Sequence, residues 1–593
     1  MVTAVVKLVL FDLGNTLESG GVLLPGARET LEAIASPGPE GEPAPVLGLL
    51  SDFHMPAGPE DVAAIRQQYC DLLDDLGIRE FFEPVAERVT LSTEVGVFKP
   101  DPAMFRAAAA KLSPALDFKD VLFVTENPGH VLAARLLGLV AVHVRGPGQA
   151  GGDVDTLPAL VPLVREFLQD REPPETTVLR DSPATRSSAV DRLRGSGARW
   201  TRLGDTLVVQ SPARAGQSTG RTGIPGPRPP LLPEQRLHLV TQVGRTFQDE
   251  HPDARVLVDK GRYLVVDATP GTLVHRGAAA ACYDIRPLPA DGIVFDEHPP
   301  GPAAGPVGDA GLPMLSRASY EHDVDRLASL RTRHSGSADF LGALRWAKDR
   351  LEDLVFATAV QDVPFPGGNT RNLVADRPGT GPDPKVVLAT GHLDSVNLQD
   401  PEAPAPGADD NASGSAGVLA IGEALAGRAG RHGIRLILFG GEEQGLYGSR
   451  HYVAGLDTTE RARIEAVVNM DMIACRNTGH PTVLLEGAPV SRPVIDALAS
   501  IARQHTTLAV QTSLDPFNSD HVPFLQHGIP AVLTIEGTDS ANRRVHTGQD
   551  TFEALDTGLA LEILRMNILF IAQALDIDFS SAAPDGQRRT NHV

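Results

Sequence analysis

Two α/β domains joined by a small β-rich segment are what the sequence predicts, and three observations carry the prediction. Short apolar runs of β type alternate with helical stretches over residues 1–172. The same alternation returns from about residue 318 to the end. Between them, over 173–317, the chain turns to short β-type runs broken by Pro-, Gly- and Ser-rich stretches. Strands that alternate with helices favour a parallel, doubly wound sheet. At 593 residues the chain also exceeds the roughly 250–300 residues at which one core stops growing, so several domains are expected.

The first domain reads as strands and helices in turn: VVKLVLFD, ARETLEAIA, VLGLLSDF, AAIRQQYCDLLDDLG, VLFVT, HVLAARLLGL and VAVHV. The middle segment holds RWTRLGDTLVVQ, then a linker rich in Pro, Gly and Ser. A hairpin, ARVLVDKGRYLVVDATPG, follows with its turn at Asp259, Lys260 and Gly261. The third domain starts with a helical segment and continues through VVLATGHLD, IRLILFGGEE, AVVNMDMI, TVLLEG and AVLTIEG.

Composition narrows the function classes. Hydrophobic residues make up 42% of the chain and no apolar run approaches the roughly 18 residues of a membrane span, so no membrane partner is expected. A net charge of −22 disfavours nucleic acid as a partner. The first ten residues lack the basic region and cleavage site of a secretory leader, and the cytoplasm is the expected address. Three scattered cysteines, Cys70, Cys282 and Cys475, suggest neither a disulfide framework nor a thiolate metal site. Any metal must then be held by histidine and carboxylate.

Ligands of open α/β sheets collect at the carboxyl ends of the strands. In the third domain separate apolar runs stop at His392 and Asp394, at Glu442 and Glu443, and at Asp471; PGADDNASG supplies Asp409 and Asp410, and RRVHTGQDT supplies His546. Taken singly, each has an ordinary reading: a hydrogen-bonded histidine, a solvated loop, an Asx turn. Together at strand ends, without cysteine, they match the nitrogen and oxygen ligands of a zinc pair.

GHLDS, PGADDNASG, GGEEQGLYGS, NMDMI, SDHVPFLQHGIP and VHTGQDT, in this order, resemble the M28 family of co-catalytic zinc peptidases over roughly residues 318–577. The resemblance implies a zinc-exopeptidase fold with a mixed central sheet, two Zn²⁺ ions, and a peptide or aminoacyl substrate. By position, Asp409 would bridge the ions, His392 and Asp471 would hold one, and Glu443 and His546 the other. Glu442 would be the general base, and Asp394 would orient His392. The peptide between Asp409 and Asp410 would be cis. Asp520 and His521 read as scaffold. Several aminopeptidases of the family place an aromatic hydroxyl before the last histidine; Val545 stands here, and Arg543 or Arg544 would have to replace that donor. Glutaminyl cyclases share much of the ligand pattern, so a cyclase or a carboxypeptidase is an alternative within the family.

VLFDLGNTLE, LGLLSDF, VGVFKPDPAMF and VLFVTENPGHVLAARLLG resemble the successive motifs of the haloacid dehalogenase-like (HAD) superfamily over roughly residues 5–147. The resemblance implies a Rossmann-like domain with Asp12 as phosphate-accepting nucleophile, Ser51 and Lys99 as phosphoryl ligands, and Glu126 as a ligand of Mg²⁺. The copy is altered: Gly14 stands where a second Asp is frequent, and Thr125, Glu126 and His130 replace the residues of the last motif. Two readings of the whole therefore compete: a zinc aminopeptidase with an appended HAD-like domain, or a HAD-type phosphatase or phosphoryl-binding scaffold with a silent peptidase half.

Overall fold

The computed structural model describes residues 7–37, 43–112, 116–146, 153–168, 175–180, 193, 198–211, 236–268, 273, 282–300, 315–366, 368–400 and 403–577. The Pro/Gly/Ser linker at 212–235 and residues 301–314 lie outside them.

The N-terminal strands form a five-stranded, all-parallel sheet in the order Val89–Leu91, Val46–Ser51, Leu8–Phe11, Val121–Thr125, Val140–His143. The central run Leu8–Phe11 is apolar throughout because it is buried on both faces. Val9 and Phe11 enter one core with the helices Ala27–Ala35 and Val62–Asp75; Leu8 and Leu10 enter the other with Pro102–Ala110 and Pro128–Leu137. The last of these helices starts cleanly because the Asn127 side chain accepts from the N–H groups of Gly129 and His130.

The C-terminal half is built on a larger mixed sheet. Gly433–Phe439, Val386–His392, Ile464–Met470 and Ala531–Glu536 run parallel at its centre, and antiparallel strands flank them. Helices Gly414–Ala424, Arg492–His505 and Thr557–Ala574 cover one face in a single large core, while Tyr447–Gly455 and His521–Gln526 cover the other. Thr557–Ala574 is long and apolar enough to cross a membrane by length and composition, but 61% of it is packed inside this core.

The middle segment departs from the expected single small domain. Glu175–Arg180, Arg199–Leu203, Thr206–Ser211 and Gly292–His298 extend the large sheet to twelve strands among the described residues. The link is an antiparallel pairing of Gly292–His298 with Ala509–Ser513. The hairpin Arg255–Asp259 and Tyr263–Asp267 instead joins Leu237–Gln242 and Tyr283–Pro287 in a separate four-stranded antiparallel sheet. Alternation splits that sheet's residues. Val240, Leu264 and Val266 face Phe247, whereas Leu239, Tyr263 and Val265 pack with Met472, Leu484, Leu533 and Ile535 of the large sheet.

Charge fixes the same contact. Arg262, 3% exposed in its side chain, donates to Glu486 from Nε (2.9 Å), to Asp539 from Nη1 (2.9 Å) and to the Phe517 carbonyl from Nη2 (2.9 Å). Burial would raise the Glu486 carboxyl, yet Arg262 and then His521 hold it down to about 2. A carboxyl depressed on folding stabilises the fold above its unfolded value of roughly 4.3 and loses that contribution as pH falls toward the folded value, here on the order of 3 kcal/mol. Denaturant titrations should therefore show stability falling between about pH 4.3 and 2 more steeply in the wild type than in Arg262→Met. Parallel slopes would rule out this pair as the source.

Candidate functional site

Five chain segments meet at the carboxyl ends of the central parallel strands. His392 is the last residue of its strand, Asp471 follows Met470, and Glu442 and Glu443 follow Phe439 after a two-glycine turn. The loop at 407–413 crosses above them, and His546 arrives on a late loop in the left-handed region, at φ 58°.

His392 Nε2 lies 3.2 Å from Asp410 Oδ1 and 3.2 Å from Asp471 Oδ1. His546 Nε2 lies 3.1 Å from Asp410 Oδ2 and 3.0 Å from Glu443 Oε2. The two oxygens of Asp410 thus face two histidines, each with a further carboxylate of its own. Asp394 sits beneath: its carboxylate accepts from the backbone N–H groups of Glu442 and Glu443, and one oxygen lies 3.7 Å from His392 Nδ1. It holds the GEE turn through its carboxylate, while its backbone carbonyl oxygen stands 3.1 Å from His392 Nδ1.

The bridging position expected of Asp409 belongs to Asp410. The Asp409 side chain turns away from the histidines: Oδ1 accepts from the Ala474 N–H (2.9 Å) and Oδ2 from the Asn542 amide (2.9 Å). Burial, then the nearby Asp550, pushes its carboxyl up to about 7. The neighbouring Glu536 is raised too, by burial and by Asp409. The cis peptide likewise joins Asp410 to Asn411, one bond later than expected. Two like residues in a row cannot be told apart by type; only the backbone's turn assigns them to opposite sides.

That turn depends on residues the motifs did not single out. Asp550 accepts from the N–H groups of Asp409 (3.0 Å) and Asp410 (3.0 Å). Arg333, fully buried, donates to the carbonyls of Leu393 (2.8 Å), Gly407 (2.8 Å) and Pro406. Gly407, at φ 52°, allows the tight approach, since a Cβ there would stand 2.3 Å from the Asp410 carbonyl oxygen. Asp550 was visible in VHTGQDT as a residue four after the histidine; Arg333 carries no sequence signal. Ser519 donates to Asp471 Oδ2 (2.7 Å), so the SDHVPF segment acts through its neighbour. Asp520 and His521 are fully buried, His521 beside Glu486.

The set fits a pair of zinc ions. His392, Asp410 and Glu443 place ligand atoms within 4.8 Å of one another, as do His392, Glu442 and Asp471. Glu443 Oε1 is buried with no hydrogen-bond partner, as expected of an atom that faces a cation. Burial, opposed by His546 and aided by Asp410, pushes the Glu443 carboxyl up to about 7, and Glu442 is raised further by burial and Asp471. A buried group of acids of this density calls for cations.

The cavity over these residues measures about 280 Å³. Its walls include the apolar Val243, Leu398, Met472, Leu533 and Ile535, and its charged lining is Arg262, Asp410, Glu442, Glu443, Asp471, Asp539 and His546. Arg543 and Arg544 are exposed and stand outside it, which removes both as replacement donors; Val545 packs into the apolar contact with the middle sheet.

In the N-terminal domain the structure brings the expected residues to one sheet edge. Lys99 Nζ lies 2.5 Å from Asp12 Oδ2, Thr125 donates to the same oxygen (3.1 Å), and His130 Nδ1 lies 3.7 Å from it. Against burial, His130 and Lys99 hold the Asp12 carboxyl below its usual range. Ser51 is hydrogen-bonded to Tyr69 (2.6 Å), and Glu126 accepts from Thr16 (2.5 Å). This set does not fit Mg²⁺. The ion demands octahedral oxygen ligation, whereas Asp12 Oδ2 already accepts from Lys99 and Thr125 with the His130 ring 3.7 Å away, and Oδ1 accepts from the Leu13 N–H (2.9 Å).

Leupeptin-inactivating enzyme 1 of Streptomyces exfoliatus is 29% identical over 272 residues, 45% of this chain and 59% of that protein. A probable leucine aminopeptidase of Trichophyton verrucosum is 25% identical over 275 residues, 44% of this chain and 73% of that one. Among solved structures, BSAP, a zinc aminopeptidase from Bacillus subtilis, aligns with a TM-score of 0.41 at 17% identity, covering 46% of this chain and 98% of that one. The chain spans 59% of the length of the Streptomyces relative. The sequence profile of Peptidase family M28 matches residues 372–571. His392, Asp410, Glu443, Asp471 and His546 all lie inside the stretch that matches Peptidase family M28.

Proposed function

We propose that the chain is a zinc-dependent aminopeptidase that removes residues from the free amino terminus of peptides. One observation carries the choice of terminus. The cavity's charged lining is almost wholly acidic, and Arg262, its one guanidinium among the described residues, is already committed to Glu486, Asp539 and the Phe517 carbonyl. A carboxypeptidase needs a cationic side chain there to hold the substrate's free α-carboxylate, and Arg262 is already taken. The names of the relatives support the same reading.

In this proposal Asp410 would hold both ions, His392 and Asp471 would hold one, and Glu443 and His546 the other. Bound zinc supplies Lewis acidity toward a water and a scissile carbonyl. Glu442, beside the ligands and raised in proton affinity, takes a proton from the attacking water and delivers it to the leaving amine. Asp394 keeps His392 and the Glu442 backbone in register.

The test is a substrate screen on the intact protein. Leucine and methionine 4-nitroanilides should be hydrolysed, their N-acetyl forms should not, and a zinc chelator should abolish turnover until zinc is restored. Cleavage confined to blocked substrates, or cyclisation of amino-terminal glutamine, would overturn the reading.

For the N-terminal domain we infer a retained recognition or structural role, on the poor fit to Mg²⁺. Magnesium-dependent turnover of p-nitrophenyl phosphate by the wild type should not exceed that of Asp12→Asn. A clear excess would restore the phosphatase reading.

A further inference from the structure

The middle sheet contributes to the peptidase cavity itself. Val243, which follows the strand Leu237–Gln242, and Cys282, which precedes Tyr283–Pro287, line the same space as Asp410, Glu442 and Asp471. The Val243 N–H donates to the Cys282 carbonyl (2.8 Å), so the two stand together at one end of a separate sheet. Both come from outside the 372–571 stretch.

This wall is fixed rather than hinged. The Arg262 side chain next to it is sealed between Glu486 and Asp539, the Tyr263 hydroxyl donates to Glu486, and Arg286 pairs with Asp515. Swinging the sheet away would break the Arg262 pairs with Glu486 and Asp539 and expose the apolar contact beside them. The backbone approach is equally close. Gly261, at φ 74°, lies so near the large sheet's loop that a Cβ would stand 2.5 Å from Ser540 Oγ and 2.8 Å from Thr538 Cγ2. The apolar side of the contact is one continuous core with Met472, Leu533 and Ile535.

An exopeptidase that trims long chains must let the polypeptide beyond the scissile bond run out of the site. The cavity lined by these residues measures about 280 Å³, just under the roughly 300–1,000 Å³ of small-molecule pockets. We propose that the middle sheet is a permanent wall that restricts the enzyme to di- and tripeptides and excludes long polypeptides. This inference rests on the aminopeptidase reading, and the nitroanilide control below separates failure of one from failure of the other.

The experiment is a length series with one amino-terminal sequence, a Leu-headed dipeptide, tripeptide and decapeptide, assayed with the zinc-loaded full chain alongside leucine 4-nitroanilide. The tripeptide should exceed the decapeptide in kcat/KM by at least about ten-fold. Arg262→Met, which loosens the wall, should narrow that ratio to about three-fold or less. Should Arg262→Met fail to fold by circular dichroism, Arg286→Ala, at the half-exposed edge of the contact, should narrow the ratio in the same direction. Equal rates on tripeptide and decapeptide in the wild type overturn the proposal, and so does a steep preference that no folded wall variant relaxes. Hydrolysis of the nitroanilide separates these outcomes from failure of the aminopeptidase assignment, in which that substrate too would be inert.

Discussion

Asp410→Asn should purify nearly free of zinc and lose more than about a hundred-fold in turnover, while Asp409→Asn should keep its metal. The contrast follows from which way each side chain points. The oxygens of Asp410 lie 3.2 Å from His392 and 3.1 Å from His546, one to each half of the site. An amide presents a single acceptor, so one half would face an N–H₂ group, and the negative charge shared between two cations would vanish. The oxygens of Asp409 instead accept from the Ala474 N–H and the Asn542 amide. Asparagine there would turn its N–H₂ toward one of those donors, costing about 1–3 kcal/mol of stability. Metal content by mass spectrometry, together with thermal melts, distinguishes the two. Loss of zinc from Asp409→Asn with retention by Asp410→Asn would reverse the assignment.

Glu442→Gln should lose about 10²–10⁴-fold in kcat while its zinc content matches the wild type. Glu442 adjoins Glu443 and places a carboxylate oxygen within 4.8 Å of ligand atoms of His392 and Asp471. Its backbone N–H is held by Asp394, and burial together with Asp471 raises its proton affinity. Glutamine preserves shape and cannot take up a proton. A variant with wild-type kcat would remove Glu442 as the base; one that loses zinc would make it a ligand.

The strand-end rule was enough to place His392, Glu442, Glu443 and Asp471 on one rim, because a buried parallel strand is a continuous apolar run and its end is where the run stops. The alternation of the hairpin at Asp259 to Gly261 was legible for the same reason. What could not be read was direction within irregular backbone. Asp409 and Asp410 are identical in type, and their opposite orientations follow from Gly407, from Asp550 beneath the loop and from the buried Arg333, more than seventy residues away in the chain. The extension of the large sheet by strands from 175–211 and 292–298 was hidden for a related reason. Edge pairing between Gly292–His298 and Ala509–Ser513 is a contact between residues about two hundred apart, and periodicity reports only which face of a strand is apolar.

The most direct measurement is an anomalous-difference map at the zinc absorption edge from crystals of the zinc-loaded protein. The expected result is two peaks flanking the Asp410 carboxylate, one beside His392 and Asp471 and the other beside Glu443 and His546. Peaks beside Asp409 and Glu536, or a single peak on only one side of Asp410, would contradict it.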